Sequence, residues 1–175
     1  MRSKTGIHWR CCHEGERRPW LVTMPTVVTS TRVPGTSGLH RFMEADDFVD
    51  CYATATGLSA REVAGIVIRY PAWVRVLMLL RRVVTTPFGL INQVDGPVEK
   101  IGMFPIESET DEEIIAGFDD RHLDFRIAIL VKEGTAYFAT WVRPHNAGGK
   151  LYLAAVMPFH VLICRNALTR VASGS

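Results

Sequence analysis

The alternation Leu123-Phe125-Ile127-Ile129-Val131 constrains this chain more than any other feature. Period two is the mark of a β-strand, and it sends His122, Asp124 and Arg126 to the face opposite the apolar row. A second run, Thr135 to Val142, follows after Lys132-Glu133-Gly134. A two-residue turn at Glu133-Gly134 sets Lys132 opposite Thr135. The register then pairs Phe125 with Val142, Ile127 with Thr140 and Ile129 with Phe138 on one face. On the other it pairs Asp124 with Arg143 as ions and Arg126 with Trp141 as cation and ring. A slip of one residue scrambles both faces, so this register is the expected one.

The neighbouring sequence extends the sheet. Ile101 to Ile106 and Glu113 to Phe118 read as strands, and Phe48 to Thr56 as a first strand ended by Gly57. Gly96-Pro97 reads as a turn. Ser59-Ala60-Arg61-Glu62 is a capping box, followed by Val63, Ile66, Val67 and Tyr70 at helical spacing. Pro71 stops that helix and opens a second, with Trp73, Val76, Leu77, Leu80 and Val84 as its apolar stripe and Thr86-Pro87-Phe88-Gly89 as its end. Pro144 to Gly149 reads as a loop, and Lys150 to Met157 fits a strand or a short helix equally. Pro158 then begins a C-terminal helix to about Val171, with Phe159, Leu162, Ile163 and Ala167 as its buried stripe.

This order predicts an α+β fold. An antiparallel curved sheet packs against a long C-terminal helix, with a helical pair after the first strand, in a helix-grip-like arrangement. Such a grip leaves room for a cavity between sheet and helix, where small-molecule sites commonly form. Residues 39–175 read as one domain. Residues 1–38 read as a flexible arm, basic at first and then rich in Ser, Thr, Gly and Pro, with Met24 as an alternative start.

Composition narrows the function classes. The 175 residues are 47% hydrophobic and 22% charged, an ordinary globular balance. A net charge of +2 gives no ground for nucleic acid as a partner. The apolar stretch Val76 to Leu80 is stopped by Arg81-Arg82, far short of the roughly 20 residues of a membrane span. No secretory signal is visible, and the four cysteines form no framework, so a reducing cytoplasm is expected. Cys11-Cys12-His13 lacks the second ligand pair that zinc needs, so no metal or cofactor is expected. No Gly-x-Ser-x-Gly elbow occurs, Gly148-Gly149-Lys150 lacks phosphate-loop spacing, and Cys51 and Cys164 read as buried, inert thiols.

Two places offer site chemistry. His122, Asp124 and Arg126 project together, as a general base or a carboxylate anchor, or else as a cross-strand ion network with Arg143 and Trp141 on an exposed sheet face. Asp119 and Asp120 read as hairpin-corner residues. His160, at the start of the expected C-terminal helix, should be neutral there and face either the core or the cavity mouth.

From Ala45 to Val171 the chain resembles the bacterial domain of unknown function 2867 family. The resemblance is carried by Pro71-Ala72-Trp73-Val74-Arg75, by Pro87-Phe88-Gly89-Leu90, by Gly117 through Arg126, and by Tyr152 through His160. Members look like the helix-grip superfamily of the Bet v 1 and START type, and similar domains follow a Rossmann-type dehydrogenase module, of which this chain has no nucleotide fingerprint. The family has no agreed activity, so the resemblance implies a fold more than a function; with the apolar sheet face it leads to the expectation of a domain that binds a small apolar or amphipathic molecule between sheet and C-terminal helix. The residues expected to orient it are His122, Asp124, Arg126, Trp141, Arg143, Tyr152 and His160. Two alternatives are a cyclase- or dehydratase-like enzyme using His122 or His160, and an interaction module working beside a separate oxidoreductase.

Overall fold

A computed structural model of the chain describes residues 27–76, 79 and 99–174. The Glu133-Gly134 hairpin forms as expected: both residues have positive φ, 51° and 72°, as a tight primed turn requires. Lys132 faces Thr135, Phe125 faces Val142, and Arg126 faces Trp141. Among the described residues seven strands form one open, curved, antiparallel sheet. They are β1 (Thr29–Ser30), β2 (Phe48–Ala55), β3 (Lys100–Ile101), β4 (Phe104–Glu109), β5 (Glu113–Asp119), β6 (Leu123–Lys132) and β7 (Thr135–Pro144). The spatial order is β1-β2-β7-β6-β5-β4-β3, so the first long strand lies beside the last.

The run from Ile101 to Ile106 is two strands rather than one. Gly102, at φ 61°, folds the chain back so that Ile101 pairs with Phe104. Gly117 on β5 has a different constraint: a Cβ there would lie 2.1 Å from the Phe125 carbonyl oxygen.

Helix α1 (Ala60–Val67) starts on the expected capping box. The Ser59 side chain accepts from the Glu62 amide, and Glu62 accepts from the Ser59 amide at 2.9 Å. Val63, Ala64, Ile66 and Val67 are buried. Residues 72–76 are helical, as expected after Pro71. Trp73 and Val76 are exposed, however, and Val74 is the buried residue, so the stripe is rotated from the one expected. Leu77, Leu80, Val84, the Thr86–Gly89 end and the Gly96-Pro97 turn lie outside the described residues.

Helix α2 (Ala147–Ser173) corrects the reading of the C-terminus. It begins at an Asn146 cap, whose Oδ1 accepts from the Gly149 amide at 3.0 Å, and runs through Pro158 without ending. Residues 147–149 are its first turn, not a loop, and Lys150 to Met157 is helical. Pro158 has no N–H for the Ala154 carbonyl, so that bond is missing from the ladder. The buried stripe is Cys164, Ala167, Leu168 and Val171, while Phe159 and Leu162 are exposed. By length and composition α2 is apolar enough to cross a membrane, yet its C-terminal third belongs to the core.

The sheet is covered on both faces. On one side Ile114, Ile127, Ile129 and Phe138 pack against α1 and α2. On the other, Ile115, Ala128, Ala139 and Trp141 pack beneath Val33, Leu39, Phe42 and Met43. This cover corrects two expectations: the His122–Arg126 face is not open to solvent, and residues 29–38 are not all a loose arm. Thr29 and Ser30 pair with Ala53 and Tyr52. Ser37 donates to Glu113 and caps a short 3-10 helix, Gly38–Arg41, that buries Leu39 completely. Residues 1–26, including Met24 and Cys11-Cys12-His13, lie outside the described residues.

Candidate functional site

The seven expected site residues do not converge; the sheet separates them. Asp124, Arg126, Trp141 and Arg143 lie under the N-terminal cover, whereas Tyr152 and His160 lie on α2 at the opposite face. His122 belongs to neither group. It sits in the β5–β6 turn, where its Nδ1 is 3.2 Å from the Asn146 amide nitrogen and its carbonyl accepts from the His145 amide.

The four residues under the cover are committed to structure. Arg126 is 5% exposed and donates to Glu107 at 2.8 and 2.9 Å, to Asp119 at 2.7 Å, and to the carbonyls of Phe118 and Phe125. Its guanidinium lies 4.9 Å from the Phe42 ring centroid and 5.9 Å from that of Trp141, so the expected cation–π pair forms. These contacts engage Nε, both hydrogens of Nη1 and one of Nη2, so most of the guanidinium is committed within the protein. The expected Asp124–Arg143 ion pair is replaced, although the register is right. Arg143 donates to Asp47 at 2.8 and 3.0 Å and reaches Glu44 at 3.0 Å. Asp124 instead meets His145 at 3.0 Å. Asp47 also accepts from the Trp141 indole at 2.8 Å, and the Arg143 hydrogen bond leads in holding its carboxyl down at about 2. His145 is raised, first by its hydrogen bond to Asp124.

The helix side is different. Between sheet and α2 lies a cavity of about 410 Å³. Phe125, Ile127 and Phe138 form its sheet wall, and Val156, Met157 and Phe159 its helix wall. Phe104, Phe118 and Phe125 form an aromatic cluster along one side, with ring centroids 5.1–6.0 Å apart. Polar groups on the wall are few: Tyr70, Thr140, Tyr152, His160 and Cys164.

Three of these gather with one further residue. Asp50 on β2 is paired across to Thr140 on β7, so both point to the α2 face. His160 Nε2 lies 3.1 Å from Asp50 Oδ2, and Cys164 Sγ lies 3.4 Å from the same nitrogen. Thr140 Oγ1 is buried and, beyond the neighbouring Cys164 thiol, has no hydrogen-bond partner among the described residues. His160 is therefore mid-helix with a carboxylate partner, not at a helix start. Cys164 lies nearer to the nitrogen that Asp50 meets than to Nδ1, which it approaches only to 3.8 Å, so the ring is not set between them as a triad imidazole is. Burial pushes the Cys164 thiol well above its ordinary range and Cys51 up to about 12, so both rest as unreactive thiols. No metal-binding set of His, Cys, Asp or Glu occurs among the described residues.

Sequence reasoning missed Asp50 and Thr140. Each had a signal: Thr140 is the polar residue on the apolar row opposite Ile127, and Asp50 interrupts an apolar strand. His160 and Cys164 are four apart, which places them on one helix face.

The fold and cavity define an α+β domain, an open antiparallel sheet and a long helix enclosing an apolar hollow. The chain belongs to the family described as Protein of unknown function (DUF2867), whose model matches residues 43–167. That span holds every described residue lining the cavity, from Phe48 to Cys164, and leaves β1 and most of the N-terminal cover outside. No curated protein and no solved structure matches the chain.

Proposed function

We propose that this protein binds a small, largely apolar molecule in the cavity between sheet and α2, much as a helix-grip domain would. The observation that carries the reading is the hollow itself. Protein interiors are close-packed, with few voids larger than a water molecule. A cavity of about 410 Å³ walled by aromatic and aliphatic side chains lies within the size range of small-molecule sites. Three of its polar groups, Thr140, His160 and Cys164, gather where sheet and helix meet, as polar groups do where they orient a ligand. Tyr152 and His160 remain ligand-orienting residues in this reading, Thr140 joins them, and Asp50 holds the His160 ring in place. Cys51 and Cys164 are free, which suits the cytoplasm as its location.

Native mass spectrometry of freshly purified protein, followed by denaturing extraction, tests the reading. A stoichiometric small molecule released on unfolding is the expected result. A bare chain that also fails to take up apolar probes at saturation would overturn it.

A second reading is favoured by one observation. His160 stands on the cavity wall with Asp50 Oδ2 3.1 Å from its Nε2, a geometry in which a carboxylate orients an imidazole for proton transfer. In that reading His160, and not His122, is the acid/base of a cyclase- or dehydratase-like reaction. Recovery of the bound molecule chemically unchanged after prolonged incubation with excess protein argues for binding alone.

A further inference from the structure

We propose that the cavity selects an uncharged oxygen head group, a hydroxyl or carbonyl on an otherwise apolar molecule, and rejects carboxylates and amines. The inference rests on the binding reading above and adds to it the chemistry of the ligand's polar end.

The wall comes first. Among the described residues that line the cavity, none is Lys, Arg, Asp or Glu. A carboxylate entering it would leave water with no counter-ion to meet, and burying an unpaired charge is the most costly transfer a site can ask for. Arg126 and Arg143, the nearest strong cations in the sheet, are spent on Glu107, Asp119, Glu44 and Asp47 beneath the other face.

The ionisable couple on the wall points the same way. His160 and Asp50 together carry a charge of minus one with a neutral ring and zero with a protonated one. Neither state attracts an anion. An ammonium gains little either: Asp50 does not line the cavity, and both its oxygens face the His160 ring at 3.1 and 3.3 Å.

Thr140 supplies the positive half of the argument. The residue is 1% exposed and lines the cavity, and the only hydrogen-bond partner of its hydroxyl among the described residues is the Cys164 thiol, a weak one. Buried polar atoms are nearly always hydrogen-bonded, so one left open on a cavity wall marks where a guest's polar atom belongs. A hydroxyl donates to an ether, carbonyl or alcohol oxygen and accepts from an alcohol, all without charge. An uncharged oxygen satisfies it and asks nothing of the wall that the wall lacks.

The test uses the full chain and one scaffold with four ends: propylbenzene, para-propylphenol, para-propylbenzoate and para-propylbenzylamine, titrated by calorimetry at neutral pH. The phenol is expected to bind roughly fivefold tighter than propylbenzene, the worth of one neutral hydrogen bond. Benzoate and amine are expected to bind more than tenfold weaker than the phenol. Thr140→Val should erase the phenol's advantage and leave propylbenzene unchanged. Benzoate or amine binding as tightly as the phenol, or a phenol no better than propylbenzene, overturns the head-group inference while the cavity reading stands. Failure of propylbenzene and phenol alike removes the cavity reading, and this inference with it. Should Thr140→Val not fold, the phenol-to-propylbenzene ratio in the unmodified protein decides.

Discussion

Arg126 and Thr140 are both buried polar residues on adjacent strands, and their replacement should have opposite consequences. Removing the Arg126 side chain leaves Glu107, Asp119 and two carbonyls facing an empty space under Phe42. Arg126→Ala is expected to cost about 2–3 kcal/mol, the range for losing charge-assisted hydrogen bonds whose carboxylates, Asp119 above all, still reach water, read as a fall in the urea midpoint. Thr140→Val removes a hydroxyl with only a thiol beside it, so stability should hold or rise slightly in the same measurement. Sequence spacing legibly placed Arg126 opposite Trp141, because that neighbour is set by one hairpin. It did not reveal Glu107, which reaches Arg126 across β5, nor Asp50 beside His160, because those partners depend on how three or more strands align. Pairwise register is local information; a side chain's second and third partners are not.

Helix α2 shows how an element overrides its strongest local signal. Pro158 reads as a helix start because proline suits a first turn and disrupts an interior. Two features further upstream prevail. Asn146 caps the first turn, and Gly149 sits so close to the His122 carbonyl that a Cβ would be 2.3 Å from it. Gly149→Ala should therefore push the helix start off the β5–β6 turn, at a cost of about 1–3 kcal/mol or more. Pro158→Ala should work the other way. It restores an N–H for the Ala154 carbonyl and removes a residue worth about 3 kcal/mol less than alanine in a helix interior. A melting temperature raised by several degrees is the expected result. In contrast, the capping box of α1 was legible outright, since both of its bonds lie within four residues.

At the scale of the whole molecule, acid should unlatch the N-terminal cover before it disturbs the helix side. Asp47 ties the cover to Arg143 and Trp141, and in the folded state its carboxyl lies at about 2 rather than 3.8. A depressed carboxyl stabilises the fold fully above its unfolded value and loses that contribution as pH falls towards the folded one. Stability on the order of 1–2 kcal/mol should thus disappear between about pH 4 and pH 2, and Asp47→Asn should flatten that limb of an acid titration. His145 has the opposite sign. Its raised value means that its smaller contribution is present below the ordinary histidine range and fades as pH rises through the folded value. The α+β class, the hairpin register and the helix covering the apolar row were legible because hydrophobic period is a strong signal. The cover was not. Val33, Leu39, Phe42 and Met43 keep no period among Ser, Thr, Gly and Pro, so a closely packed strap has the composition of a loose tail. Cys164, meanwhile, makes the hollow self-reporting. Its sulfur is walled in and held protonated, so an alkylating reagent reaches it only in the moments when α2 lifts from the sheet. The rate at which that cysteine gains mass is then a count of those openings. An occupied hollow should slow it, while Cys51, sealed beneath the opposite face, supplies the internal standard.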